Sequence, residues 1–495
     1  MGEVISLEQK SLKKNAFLNT LKTILTLFFP LITFPYSSRI LGPDNLGKVN
    51  FAQSLVSYFA ILASLGISTY ATREAAKVRD DKEKLSQIAT EIFLINLIAT
   101  VISYILLAIS LFFIKKFEDY RLLIIICSSL IIFTTIGMGW LYQAVEDYLY
   151  ITVRSLVFQV ISVILLFTLV KSKEDYLWYA AVNIISNVGA NILNFVHSRK
   201  YIKFSKNYKL LLKRHLKPIF ILFATTIAGS IFASIDTTML GFMSNNAQVG
   251  FYSAGMKIIH MINGIFPAMI IVVFPRVSYY FANKDQNSIN DLSAKTVNFL
   301  LCFSLPVAAG LFLLMKPLII LFCGQKYFDA ISISQIMCPY LIFSALGHFF
   351  GGTILVAYGK EKQQLYSMIL ASLLDIVLNA IFIRLYAAKG AAFATLISQC
   401  SVSIFYIIIL RNFVKSIFDL KSFIQFIIAT IVMSAAVYFI RSLFDNLFLQ
   451  LFISFFTGIV TYFLMLIILR NNFFLDNSKE ILRKIARRKN SKSND

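Results

Sequence analysis

The stretch Gln450-Leu-Phe-Ile-Ser-Phe-Phe-Thr-Gly-Ile-Val-Thr-Tyr-Phe-Leu-Met-Leu-Ile-Ile-Leu469 contains no charged residue. A helix rises about 1.5 Å per residue, so a run of roughly 20 covers the ~30 Å hydrocarbon core of a bilayer. Backbone amides in lipid find no water and must be satisfied within the segment, which a helix does. The rest of the chain has the same character. Of 495 residues, 58% are hydrophobic and 15% are charged, and Phe alone supplies 47. An ordinary soluble domain carries roughly 25% charge. The polar surface needed to cover a soluble core of this size is missing. The fold class that follows is an all-α polytopic membrane protein.

Runs of this kind recur about 14 times along the chain. They span 16–38, 46–67, 87–114, 122–143, 150–170, 177–197, 218–242, 248–274, 296–322, 331–357, 366–386, 390–410, 422–441 and 450–469. Segment 248–274 carries Gly, Pro and the charge of Lys257, and segment 331–357 carries Gly, Pro and His348. The formal net charge of +22 sits in short connections between apolar runs, which argues against a nucleic-acid surface. Connections 68–86, 199–217, 275–295 and the tail are long or basic, whereas 115–121, 171–176, 243–247 and 387–389 are short. Positive residues mark the cytoplasmic side, so both termini are expected there. The tail residues Arg483, Lys484, Arg487, Arg488 and Lys489 either meet anionic lipid headgroups or are simply solvated. Met1 to Asn15 is polar and the first apolar run is too long for a cleavable signal, so none is expected. The cysteines at 127, 302, 323, 338 and 400 form no C-x-x-C pair and read as small packing residues.

The first six spans and the next six read as a parallel repeat. Span 1 ends Arg39-Ile-Leu41-Gly42, and Gly47 and Ala52 open span 2. Span 7 ends Thr238-Met-Leu240-Gly241, and Gly250 and Ala254 open span 8. Aligning Tyr150 with Tyr366 sets Gln159 opposite Asp375. The expected organisation is an N-lobe over 1–198, a basic linker over 199–217, a C-lobe over 218–410, two added helices over 411–470 and a basic tail over 471–495. Two six-helix lobes with a central cavity between them is a common transporter plan. Pro30 and Pro35 in span 1, Pro267 in span 8, and Pro306 and Pro317 in span 9 predict bends, static or beside a moving gate.

Phe34-Pro35-Tyr36-Ser-Ser-Arg39-Ile-Leu41-Gly42-Pro43-Asp44-Asn-Leu-Gly47 resembles the span 1–2 signature of the Wzx-type polysaccharide flippases. These belong to the multidrug/oligosaccharidyl-lipid/polysaccharide exporter superfamily. Gly66-Ile-Ser-Thr-Tyr-Ala-Thr-Arg73-Glu74, Trp140-Leu-Tyr-Gln143-Ala-Val-Glu146 and Asp236-Thr-Thr-Met-Leu240-Gly241 extend the likeness. So do Asn379 and Gly390-Ala391-Ala392, carrying it from about residue 15 to about 410. Asp375 stands where an Asn is frequent. The resemblance implies an undecaprenyl-pyrophosphate-linked oligosaccharide as substrate, moved by alternating access in surface-polysaccharide biosynthesis. It implies a bacterial inner membrane, no cofactor and no catalysis, with membrane lipids, a polysaccharide polymerase and chain-length proteins as partners, and no nucleic acid. A lipid II-type flippase or a cation/drug antiporter shares the same architecture. A membrane glycan polymerase belongs to another class, and the short outer connections argue against it.

An ionisable group inside a span costs at least ~2.5–3.5 kcal/mol, so such groups face a cavity or a partner. Lys22 in span 1, and Lys257 with His260 on one face of span 8, are candidate cations for the pyrophosphate that the resemblance implies. Snorkelling accounts equally for the lysines, and packing for His260. Arg39 and Arg276 at helix ends either meet the head group or anchor topology. Asn183, Asn187, Asn191 and Asn194 recur at helical spacing in span 6. They line a wet cavity, with Asn187 and Asn191 as glycan contacts, or they glue helices together. Asp236 and Asp375 are the acids deep in the second half. They serve ion coupling or a structural ion pair. No G-x-x-x-x-G-K-[ST] run is present, so ATP coupling is not expected in this chain.

Overall fold

The computed structural model describes residues 12–205, 208 and 210–476, with side chains described from Phe29 onward except four between 225 and 233. Every regular element among the described residues is helical. Among the described residues, eleven stretches are long and apolar enough to cross a membrane. In order they lie in Phe29–Ala76, Lys82–Phe113, Lys115–Ala144, Tyr148–Leu169, Lys173–Lys200, Asn246–Ala282, Gln286–Cys323, Ala330–Leu355, Glu361–Ile409, Leu420–Ser442 and Leu447–Ile468.

The helices are α1 Leu12–Ser64, α2 Ile67–Ala76, α3 Lys82–Phe113, α4 Arg121–Gly137, α5 Gly139–Ala144, α6 Tyr148–Leu169, α7 Tyr176–Ile184, α8 Asn191–His197, α9 Lys213–Met243 and α10 Asn246–Asn263. They continue with α11 Ile265–Ile270, α12 Phe274–Ala282, α13 Gln286–Cys323, α14 Ala330–Met337, α15 Tyr340–Phe349, α16 Glu361–Ile409, α17 Arg411–Ile417, α18 Leu420–Ser442 and α19 Leu447–Ile468. α1 is two helices joined at Gly42, where φ is 72° and only a residue without Cβ sits at ease. α16 turns likewise at Ala387, with φ 49° and ψ −126°. Each of these long elements thus holds two of the expected spans. α9 runs 31 residues over the expected span 218–242.

In two of the apolar runs Gly and Pro break or loosen the helix. The 248–274 run divides at Gly264 into α10 and α11, with Pro267 inside the short α11. The 331–357 run divides around Pro339 into α14 and α15, then widens into a π turn over Phe350–Leu355. Pro306 and Pro317 lie inside a continuous α13. Helix starts carry their own caps. The Asp81 carboxylate accepts from the amides of Glu83 and Lys84 at 3.2 and 3.0 Å, and Asp419 caps α18 in the same way. Such side chains satisfy amides that have no partner within the helix.

Two compact units emerge, one of residues 1–253 with 383–388, the other of 254–382 with 389–495. In the first unit, α1 packs against α3, α4, α6 and α9. Its densest core gathers Tyr70, Ala71, Leu85, Ile92, Trp140, Leu141, Tyr142 and Tyr201, all buried. In the second unit, α13 packs against α15, α18 and α19. The Tyr462 hydroxyl on α19 donates to the Cys302 carbonyl of α13 at 2.8 Å, and Arg441 on α18 donates to the Leu313 carbonyl at 2.6 Å. The buried Tyr462 hydroxyl would be costly without a partner in lipid, and Arg441 is partly buried. Gly347 and Gly351 let α15 and the following turn lie against Gln399, Ser403 and Tyr406 of α16. The cysteines are free thiols, four buried and Cys400 partly so.

Candidate functional site

At one end of the first unit the two signature stretches 66–74 and 140–146 meet. α2 packs against α5, Thr72 lies 3.4 Å from the Gln143 amide oxygen, and Arg79 pairs with Glu146 at 2.5 Å. Beside them the fully buried Glu91 of α3 collects four donors. Arg214 donates from Nη2 at 2.7 Å and Nε at 3.1 Å, the Leu211 amide at 2.9 Å, and Gln87 at 3.3 Å. His215 Nε2 lies 2.6 Å from the same carboxylate, and its Nδ1 lies 2.7 Å from the Tyr70 hydroxyl. The basic connection before α9 is thereby fastened to the interior of α3. Glu91 is absent from the candidates above, although it is the lone charge in the run 87–114. The rule that singled out Lys22 and Lys257 applies to it equally.

Close by, the Tyr150 and His197 rings stack at 4.0 Å and 12°. Tyr201 donates its hydroxyl to the Asp147 carboxylate at 2.6 Å. Burial, reinforced by that neighbouring carboxylate, pushes the Tyr201 phenol well above its ordinary range. Asn191 uses both ends of its amide here. Its nitrogen donates to the Phe133 carbonyl of α4 at 3.0 Å, and its oxygen accepts from Arg154 of α6 at 3.1 Å. Asn194 donates to the Gly137 carbonyl at 2.7 Å. These two amides join α8 to α4. Asn183 and Asn187 donate to carbonyls one turn back in their own segment, and Asn187 is exposed.

The opposite end of the first unit gathers the short connections. Asn45 donates to the Lys173 carbonyl at 2.7 Å, Tyr120 to the Asn246 side chain, and Gln248 accepts from the Ala388 amide at 3.2 Å. Between the two ends lies a buried polar strip. Tyr252 of α10 donates to Asp236 of α9 at 2.7 Å, and the Thr238 hydroxyl lies 3.0 and 3.1 Å from the Ser54 and Tyr58 hydroxyls of α1. Asp236 is 4% exposed. Arg39 is exposed on α1, three residues before the Gly42 bend. Lys22 lies outside the residues whose side chains are described.

In the second unit, Lys257 is partly buried on α10 and His260 follows one turn later on the same face. The His260 ring is accessible and meets Tyr340 edge-on at 6.4 Å. Arg276 is exposed on α12. Asp375 and Asn379 are each 0% exposed, one turn apart on α16. A carboxylate that deep in a membrane helix is a functional candidate by its cost alone. Among the described residues no group of three or more His, Cys, Asp or Glu could hold a metal ion.

The model of the family described as polysaccharide biosynthesis protein matches residues 12–281, more than half of the chain. The chain belongs to that family. It is similar to a protein of Escherichia coli strain K12 named as an O-antigen transporter, 25% identical over 81% of this chain and 97% of that one. A protein of Haloferax volcanii named as a low-salt glycan biosynthesis flippase is 20% identical over 48% of this chain and 50% of its own length. Among solved structures, the lipid II flippase MurJ in an inward closed conformation superposes with a TM-score of 0.71. It shares 18% identity and covers 93% of this chain and 99% of its own. An inward-facing multidrug resistance MATE transporter of the MOP superfamily gives 0.57 at 16% identity, over 81% and 98%. This family member therefore has the MurJ- and MATE-like fold of a multi-pass membrane protein.

Proposed function

We propose that the chain is a flippase that carries a lipid-linked oligosaccharide across the bacterial cytoplasmic membrane for surface-polysaccharide synthesis. The observation that carries this reading is membership of a polysaccharide biosynthesis family by a chain whose fold is that of transporters. The O-antigen transporter named above, aligned over nearly its whole length, supports it. The chemistry needs no covalent step, only a shielded path for a polar head whose lipid tail stays in the bilayer.

In this reading the substrate is an undecaprenyl-pyrophosphate-linked repeat unit. Lys22, Lys257, His260 and Arg276 meet the anionic head, Arg39 and Asn187 meet the head or its sugars, and Asn191, whose amide is engaged at both ends, ties helices together instead. Asp236 and Asp375 bind the coupling ion. The two halves of the repeat work as lobes around a central cavity and alternate its access. Both termini lie in the cytoplasm, as the distribution of Lys and Arg supports. A polysaccharide polymerase and chain-length proteins take the product on the far side.

The test uses purified full-length protein in vesicles loaded with a radiolabelled lipid-linked repeat unit from the host. The repeat unit should become accessible to an added glycosidase on the opposite leaflet only when the protein is present. Equal accessibility in protein-free vesicles, or none in either, overturns the flippase reading.

A further inference from the structure

The end of the first unit that gathers the short connections holds a cleft of about 360 Å³, within the size range of small-molecule sites. Six side chains give it its chemistry: Lys48 of α1, Glu118, Asp119 and Tyr120 of the turn before α4, Arg121 opening α4, and Tyr176 opening α7. Three separate elements thus converge on one opening. The Lys48 amine lies 5.5 Å from the centre of the Tyr176 ring and 3.2 Å from the Asp44 carboxylate. Tyr120 is held from behind by the Phe51 ring at 5.0 Å and by Asn246. Glu118, Asp119 and Arg121 are exposed, and no salt bridge among the described residues engages any of them.

Two acids and two bases line the cleft, and the Asp44 carboxylate beside Lys48 adds a third acid at its edge. Such a cleft does not concentrate a dianion, because its carboxylates oppose the approach of phosphate. It offers instead both donors and acceptors at close spacing beside aromatic surface. A ligand rich in hydroxyls, each at once donor and acceptor, matches that mixture. We propose that this cleft is a sugar-binding subsite that holds a net-neutral glycan at the face of the membrane opposite the basic connections. Glu118 and Asp119 accept from sugar hydroxyls, Arg121 donates to them, and Tyr176 covers a ring face. The inference rests on the flippase reading for the origin of the glycan. It assigns the glycan a resting place apart from the charged residues expected to meet the head group.

Binding is measured on the full-length protein with the oligosaccharide released by mild acid from the host's own lipid-linked repeat unit. Trp178 is exposed two residues beyond Tyr176, while Trp140 is buried, so indole fluorescence reports on this end. A saturable fluorescence change is expected. The double variant Glu118→Gln/Asp119→Asn, and separately Tyr176→Ala, should each raise Kd at least tenfold. Inorganic pyrophosphate should not compete. The inference is overturned by the absence of saturable binding, by unchanged Kd in both variants, or by displacement with pyrophosphate. The carboxylate substitutions preserve shape at exposed positions, and unchanged amounts of protein in the membrane confirm folding. Glycan binding is read without transport, so inactivity in the vesicle assay counts against the flippase reading alone.

Discussion

Gly47 and Gly250 lie against each other's helices at one reciprocal crossing. A Cβ on Gly47 would fall 1.8 Å from the Asn246 carbonyl oxygen, and a Cβ on Gly250 would fall 1.9 Å from the Pro43 carbonyl oxygen. Both obstacles are backbone, which cannot swing aside as a side chain can. The sequence repeat pairs these same two glycines, one opening span 2 and the other span 8. Each glycine leaves the room that the backbone of the other's helix occupies. Close backbone approach through small residues is how membrane helices gain packing without a hydrophobic driving force.

Gly47→Ala and Gly250→Ala should each destabilise the protein by about 1–3 kcal/mol, the range for forcing extra volume into a packed site. The two act on one crossing, so the double variant should cost less than the sum. Thermal unfolding in detergent, followed by loss of the monodisperse peak, measures this. Gly310→Ala is the control, since nothing lies within 4 Å of its added methyl. Equal unfolding temperatures for all three would contradict the crossing.

Glu91 is the second point of leverage. Removing it leaves His215, 3% exposed, and the Leu211 amide without their acceptor, while Arg214 is 44% exposed and can turn to water. Breaking a buried ion pair costs roughly 3–5 kcal/mol, and the exposed arginine places Glu91→Ala near the low end of that range. Glu91→Gln keeps an oxygen for the Leu211 amide and should lose less. Limited proteolysis of the 199–217 connection is a direct reading. It should be cut faster in Glu91→Ala than in wild type, and unchanged cleavage would show that the carboxylate does not fasten the connection.

The helix caps give a pH dependence with a fixed sign. At Asp419, the Ser422 hydroxyl at 2.6 Å, and the amides of Ser422 and Lys421 at 3.2 and 3.1 Å, hold the carboxylate below its usual range. A folded-state value below the unfolded one means stability is present above the unfolded value, near pH 4, and is lost as pH falls through the folded value. Asp419→Ala should cost about 1 kcal/mol at pH 7, typical of a lost cap. The gap between variant and wild type should shrink steadily below pH 4. A gap that stays constant from pH 7 to pH 3 would show that the ionised carboxylate is not what caps α18.

Much of the scaffold is legible in hydropathy, because a bilayer imposes length and apolarity on each span independently of its neighbours. The bend at Gly42 is legible too, since Gly before Pro in an apolar run is a strong break. The break near Ala387 is legible as the 387–389 connection between two spans, but the positive φ of that residue is not, because alanine gives no local signal for it. The same divide runs through the polar residues. Glu91 carries a readable signal, an acid alone in an apolar run. Asn191 does not, because whether an amide meets a substrate or a carbonyl depends on α4 standing 3.0 Å away. Periodicity places the four asparagines on a face but says nothing of what that face meets.

The paired candidates Lys257 and Asp375 separate head-group binding from coupling. Lys257 is partly buried on α10, so Lys257→Ala removes its charge together with the aliphatic stem that packs there. Lys257→Ala should abolish movement of the lipid-linked glycan at unchanged membrane abundance, and Lys257→Arg should restore a measurable fraction, because charge rather than shape is what a pyrophosphate needs. Asp375 is fully buried, so its carboxylate is expensive to keep, which makes it a candidate for coupling. Asp375→Asn preserves its shape and places a neutral amide one turn from Asn379. Glycan movement in vesicles with an imposed proton or sodium gradient should then become insensitive to the gradient while gradient-free exchange persists. Loss of both rates together would assign Asp375 to structure, and an intact gradient response would move the coupling role to Asp236.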